Sequence, residues 1–279
     1  MPERTRLSTE ILVANNASTD QTREVCADYK EVTYIEQLKN LGYDGNIRSL
    51  YREARGTWIL FLSDDDIFEF ATLPILMRIL EESPQLKVVF CNWYSNAHDG
   101  LKRSHLHAEI LKRKGEFSFG EVCKLTPFYF LSSFVIRRLP IQENNLLRGT
   151  YATQMEIALQ VLKKGSRCSV LKEFIVGRTE PTTELVGGNN ESRISWRIHL
   201  GFTKVRRKFE KKFGIELSPV AEFSSALSSW SYLRDNTKPL LTRLFTFLGS
   251  VFCGIAQTKP SKIWELPNFI VTKYSRSKR

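Results

Sequence analysis

Residues 58–70, WILFLSDDDIFEF, constrain this chain most tightly. The nearly all-apolar run from Trp58 to Leu62 stops at three consecutive carboxylates, Asp64, Asp65 and Asp66, and apolar residues resume at Ile67 and Phe68. An apolar run without polar alternation suits a strand covered on both faces, as in a parallel sheet packed between helices. Three adjacent carboxylates repel one another and are costly to desolvate unpaired, so they belong where water or a cation neutralises them. Hard divalent cations such as Mg²⁺ or Mn²⁺ prefer oxygen ligands and typically take one or two carboxylates plus substrate phosphates. Acidic loop runs are also often simply solvated, and for the triplet alone both readings stay open.

The surrounding pattern explains why such a strand end faces a crevice. EILVA (10–14) reads as a short strand and NNASTD after it as turn chemistry. Thr19 or Asp20 can cap a helix through QTREVCADY, and VTYIEQ (32–37) is the next strand. KNLGYDG reads as a loop, NIRSLYREA as a helix closed by Gly56, and TWILFLS as a strand. Strand, helix, strand, helix, strand with short connections predicts an α/β sheet with right-handed crossovers. Ligands of such sheets bind outside the carboxyl ends of the strands, where NNASTD and SDDD both fall.

Beyond the carboxylates, TLPILMRILEES predicts a helix with Pro74 in its first turn, and LKVVFCNWYS (86–95) a strand. FYFLSSFVIRR (128–138) and SRCSVLKEFIVGR read as extended, and YATQMEIALQVLKKG (151–165) as a helix ended by Gly165. Residues 200–279 hold 15 Lys+Arg against 5 Asp+Glu, so +10 of the net charge of +11 lies there. WRIHLGFTKVRRKFEKKFG (196–214) is a basic helix with Leu200, Val205, Phe209 and Phe213 along it. PLLTRLFTFLGSVFCGIA (239–256) is strongly apolar but short of the about 20 residues that a membrane span needs, which suits an interfacial or core helix. The five scattered cysteines form no CxxC pair and read as reduced thiols, and MPERTRLSTEI lacks the apolar segment of a signal peptide.

Taken in order, EILVANNASTDQT, NLGYDGN and ARGTWILFLSDDDIF resemble the nucleotide-sugar-binding half of a family 2 glycosyltransferase of the GT-A fold. The NLGxDxN loop and FLSDDD are most similar to the subgroup around abequosyltransferases and other O-antigen or capsule sugar transferases. The resemblance is close over about residues 8–70 and continues loosely to about residue 180. It implies a Rossmann-like, mostly parallel sheet with helices on both faces, plus a helical basic C-terminal tail. Residues 1–95 would form the nucleotide-sugar-binding part, 96–195 the acceptor-side part, and 196–279 a basic and apolar helical region that meets the membrane.

The resemblance also implies a chemistry. A nucleoside diphosphate sugar is the donor, Mn²⁺ or Mg²⁺ the cofactor, and a lipid-linked saccharide the acceptor, at the cytoplasmic face of a bacterial plasma membrane. The acceptor hydroxyl attacks the anomeric carbon from the opposite face and inverts it, with a side-chain base taking its proton. Aligned without gaps, Ser63 replaces the first Asp of the family pattern, Asp65 falls on the usual metal ligand and Asp66 follows. Read as a bare DxD, Asp64 and Asp66 instead share one side of an extended chain. Asn15 and Asn16 stand where the family has acidic residues near base and ribose. Their amides can donate and accept, which tilts the donor away from a UDP-sugar, or they simply make an Asx turn. Asn46 holds the loop or nucleotide, or caps the following helix.

Two departures from the family follow. The family begins with a strand such as VSVIIPTYN and a helix, roughly 30 residues that this sequence lacks, which would leave a central strand with an open edge. The family base is the Asp of an ED pair opening the helix that ends in KKG, where this chain has Thr153 and Gln154. Glu156 is the nearest carboxylate and either serves as base or faces solvent. A non-catalytic remnant that binds a nucleotide or partner is therefore the alternative reading. Charge alone would suit nucleic acid, but no recognisable module accompanies it, so no nucleic-acid partner is expected. His98, His105 and His107 read as a surface loop rather than a metal site.

Overall fold

A computed structural model describes residues 9–96, 102–104, 106, 108–125, 128, 130–178 and 191–214. In chain order the labelled elements are β1 (Ile11–Asn15), α1 (Thr22–Ala27), β2 (Val32–Glu36), α2 (Gly42–Glu53), β3 (Trp58–Leu60), β4 (Asp66–Phe68), α3 (Leu73–Glu82) and β5 (Leu86–Asn96). They continue with β6 (Lys102–Ser104), β7 (Phe117–Ser118), β8 (Phe134–Arg137), α4 (Thr153–Val161), β9 (Arg167–Arg178) and α5 (Glu191–Phe213). The first half thus alternates strand and helix as its hydrophobic pattern dictates.

The larger sheet has the order β3–β8–β5–β9–β4, with β6 paired to β5 and β7 to β9, while β1 and β2 form a separate two-stranded sheet. The α/β class stands, but the pairing is mixed where a mostly parallel sheet was expected. The β1–β2 and β5–β9 ladders are parallel, and the other five are antiparallel. Very short strands explain the difference: β3, β4 and β8 span three or four residues and pair with neighbours running back, which requires no crossover helix. Among the described residues, β1 pairs only with β2 and β3 only with β8, so the edges that the sequence left open carry no described strand. Their starts are nonetheless tied. Glu10, before β1, accepts the backbone N–H groups of Arg55 (2.6 Å) and Gly56 (2.7 Å), before β3.

Helices cover both faces of the larger sheet. Val88, Phe90, Phe134 and Ile136 pack with Ile47 and Tyr51 of α2, Met155 and Ile157 of α4, and Phe202, Val205 and Phe209 of α5. Val89, Cys91 and Val135, alternate residues of the same strands, pack against Leu73, Leu76 and Leu80 of α3. The period of two sorts each strand into two cores. Cys26, Cys91, Cys123 and Cys168 are free thiols. Among the described residues no helix is long and apolar enough to cross a membrane.

Helix α5 runs across residues 195 and 196 and sends Phe202, Val205 and Phe209 into the main core. Gly201 lies so close to Thr150 that a Cβ would sit 1.6 Å from the carbonyl oxygen. Lys208 donates to the wholly buried Glu156 carboxylate at 2.5 Å and also to the Asn145 carbonyl. The segments 215–279, including the apolar stretch 239–256, and His98, His105 and His107 lie outside the described residues.

These contacts predict two stability effects. Gly201→Ala drives a methyl group into backbone that cannot yield and lowers unfolding free energy by about 3 kcal/mol; an unchanged denaturation midpoint would place α5 elsewhere. Lys208→Met leaves Glu156 buried without its cation and costs about 3–5 kcal/mol, whereas adding Glu156→Gln recovers much of that loss. Strictly additive losses in this double-mutant cycle would rule out the ion pair.

Candidate functional site

Asp64 and Asp65 lie in a turn between β3 and β4, and Asp66 opens β4. The Asp66 N–H closes the turn on the Ser63 carbonyl at 3.2 Å. Asp64 and Asp65 are exposed and Asp66 is half-buried. Ser132, fully buried just before β8, pins both ends of the turn. Its hydroxyl donates to Asp66 Oδ2 at 2.7 Å and accepts the Ser63 N–H at 3.2 Å. Burial pushes the Asp66 carboxyl above the usual carboxylate range, the Ser132 hydrogen bond pulls it back, and the adjacent Asp65 charge pushes it up further. Sequence reasoning missed Ser132, because a serine before a strand carries no signal of what it will face across the sheet.

The three asparagines assemble at the carboxyl end of β1. Asn15 Oδ1 accepts the Ser18 N–H at 2.8 Å, the turn-forming role, while its amide nitrogen donates to the Tyr34 hydroxyl at 2.7 Å. Asn16 Oδ1 accepts the Leu41 N–H at 2.8 Å, and its amide donates to Asn40 at 3.1 Å. Asn40 Oδ1 in turn accepts the Gly42 N–H at 2.8 Å. With these N–H groups satisfied, and Gly42 at φ +68°, the helix starts one turn earlier than NIRSLYREA suggested. Asn46 therefore lies inside α2 and is not its cap. Its amide donates to the Ala14 carbonyl at 3.3 Å, and its buried Oδ1 has no protein partner.

The start of α4 is locked to the same helix. Asp44, buried in the first turn of α2, accepts the Thr150 N–H at 2.7 Å on one oxygen and the Thr153 hydroxyl at 2.8 Å on the other. The turn it grips has Gly149 at φ +65° and Tyr151 at φ +54°, a conformation costly for a bulky side chain. Gln154, at the position of the family base, is buried, and its Oε1 has no partner. Glu156 does not face solvent, which corrects one of its two expected roles. Its Oε2 accepts the Leu147 N–H at 2.9 Å and its Oε1 is held by Lys208, so it ties the chain before α4 to α5.

Near β4, Glu69 accepts from Lys102 at 2.7 Å and from the Tyr94 hydroxyl at 2.5 Å, and these bonds hold its carboxyl below the usual range. Ile67 and Phe70 lie exposed beside it. The aspartates and the asparagines each follow the end of a strand whose start Glu10 ties to the other. Among the described residues no three acidic, histidine or cysteine side chains are grouped so as to hold a metal ion. Asp64 and Asp65 are exposed carboxylates, the oxygen donors that hard cations prefer, beside an Asp66 oriented by Ser132.

Comparisons with known proteins agree with this architecture. The crystal structure of S. aureus TarS 1-349 matches with a TM-score of 0.54 at 14% identity, over 95% of this chain and 69% of that one. The crystal structure of S. aureus TarS matches with a TM-score of 0.51 at 16% identity, over 87% of this chain and 38% of that one. A mannosyltransferase from Pyrobaculum calidifontis, in complex with GDP-Man and Mn²⁺, gives a TM-score of 0.48 at 15% identity, over 94% and 70% of the two chains. No curated protein sequence matches. The model of glycosyl transferase family 2 matches residues 3–144, half of the sequence; the chain belongs to that family and is a glycosyltransferase.

Proposed function

We propose that the protein transfers a sugar from a nucleoside diphosphate sugar to a lipid-linked saccharide acceptor of bacterial surface polysaccharide, O-antigen or capsule, at the cytoplasmic membrane face. The reaction inverts the anomeric centre and is metal-assisted, as in the subgroup around abequosyltransferases. One observation carries the reading: a strand-end turn presents Asp64 and Asp65 to water while Ser132 fixes Asp66 from within the fold. Asp65 and Asp66 would hold Mn²⁺ or Mg²⁺, with Asp64 toward the donor. When bound, such a cation offsets the negative charge that gathers on the departing diphosphate.

This chain's own residues do the rest. The Asn15–Asn16 turn and Asn46 support the nucleotide, with the unpartnered Asn46 Oδ1 as the open acceptor in that group. Exposed Ile67 and Phe70, past the aspartates, offer an apolar floor beside them. Residues 1–95 form the donor part, 96–195 the acceptor part and 196–279 the membrane-proximal region in this reading.

A second reading, a non-catalytic remnant, is favoured by one observation. The Gln154 amide cannot take a proton, and the neighbouring Glu156 is consumed by Leu147 and Lys208. Such a remnant would bind a nucleotide or a partner without transfer.

Thermal melting with UDP, CDP, GDP and dTDP, each with and without Mn²⁺, tests the donor site. Ligand at 100 times its Kd adds about 2.7 kcal/mol, on the order of 5–10 °C for a domain of this size. A rise with one nucleotide that needs Mn²⁺ and vanishes in Asp65→Ala is expected; no rise with any of the four sinks the donor-site reading. Given that rise, hydrolysis or transfer of the matching sugar nucleotide separates enzyme from remnant. Ser132→Ala should raise the Mn²⁺ concentration required about 10-fold or more, because a released carboxylate loses its orientation. An unchanged Mn²⁺ titration would remove Asp66 from the ligand set.

A further inference from the structure

Between Gly201 and Phe213 the cationic side chains of α5 are sorted by the direction they face. Those turned inward have acidic partners: Lys208 holds Glu156, and Arg206, 4% exposed, lies 3.9 Å from Glu210. Those turned outward have none. Lys204, Arg207 and Lys211 are exposed and recur at i, i+3 and i+7, so they form one stripe along the helix, with exposed Lys212 beside it. No described carboxylate pairs with Lys204, Arg207 or Lys211. A face that is merely solvated ordinarily mixes both signs of charge. Between Gly201 and Phe213 the sole acidic residue is Glu210, and it is turned towards Arg206.

The stripe is also fixed in space. Phe202, Val205 and Phe209 are buried on the opposite side, Gly201 abuts the Thr150 backbone, and Gly214 at φ +61° ends the helix. A free amphipathic tail can roll and dip its apolar side into lipid. Between Gly201 and Phe213 this helix spends its apolar side on the core and turns charge outward, so what meets that half binds through anionic groups at a surface rather than through an apolar groove.

We propose that the outer face of α5 is the surface on which the protein rests against anionic phospholipid head groups, through Lys204, Arg207 and Lys211. The proposal rests on the reading above that the acceptor is lipid-linked, and it assigns membrane contact to a helix built into the catalytic fold. Docking through a rigid helix sets the orientation of the whole domain on the bilayer, which contact through a loose tail does not.

Co-sedimentation of the full chain with vesicles is the test. Vesicles of pure phosphatidylcholine are compared with vesicles holding about 30 mol% phosphatidylglycerol in about 0.15 M salt. Partition onto the anionic vesicles alone is expected. Each lysine or arginine near such a surface contributes about fivefold, so K204Q/R207Q/K211Q should lose about a hundredfold. The control R234Q/K238Q/K259Q removes the same charge from residues 215–279 and should lose no more than a few-fold. Equal losses in the two triple variants overturn the proposal in favour of diffuse charge. Absence of partition by the unmodified chain overturns it together with the membrane reading. Tighter binding to an RNA or DNA oligonucleotide than to vesicles, lost in the α5 variant, overturns it in favour of nucleic acid. The three side chains are exposed and touch no part of the donor site, so the variant should keep its melting temperature and its nucleotide-dependent rise. Failure of the membrane surface and failure of the donor site are thereby read separately.

Discussion

Helix α2 holds an irregular stretch of backbone by side chains alone, and the relation between the two halves of the molecule depends on it. Asp44 takes the Thr150 N–H, Arg48 donates to the Leu147 carbonyl at 2.5 Å, the Tyr51 hydroxyl donates to the Leu139 carbonyl at 2.7 Å, and Arg52 reaches Glu143 at 3.0 Å. These positions are spaced by four, three and one, so all four side chains leave one side of the helix. Residues 139–152 have one short 3₁₀ turn and no strand, so their polar backbone groups need such partners once they are buried. Glu156 and Lys208 hold the same stretch from α4 and α5. The start of α2 meets the asparagine turn of β1, and the end of the held stretch becomes the start of α4, so the first half of the fold and α4 are set against each other by this row of contacts.

The carboxylates obey a different economy. Two of the three lie exposed, and only Asp66 is drawn inward. Its partial burial disfavours charge, and the Ser132 hydroxyl compensates in part. That balance presets the turn from within while Asp64 and Asp65 still face outward.

Glu156 shows how the same residue type takes the opposite course. A glutamate with no solvent access is stable only if paired and hydrogen-bonded, and Lys208 arrives from 52 residues away to do so. A helix that reads as a detached basic tail is thereby joined to the core. Of its other described cations, Arg206 is buried beside Glu210, while Lys204, Arg207, Lys211 and Lys212 lie on the outer surface.

The sequence by itself determined the alternating strands and helices of the first half, the strand end that carries Asp64 to Asp66, the polar turn after β1 and the family to which they belong. Each is a local property, set by apolar periodicity, turn chemistry and the cost of burying adjacent charges. The tertiary structure alone decided the antiparallel insertion of β8 between β3 and β5, the depth of Asp66 against its neighbours, and the engagement of Glu156 by Lys208. It also decided that α2 begins at Gly42, because Asn16 and Asn40 arrive there to take the first N–H groups. The reason is the same in each case. Periodicity reports which face of an element is buried, but a charged or polar side chain takes its role from the group it meets, and that group is supplied by a part of the chain far away in sequence.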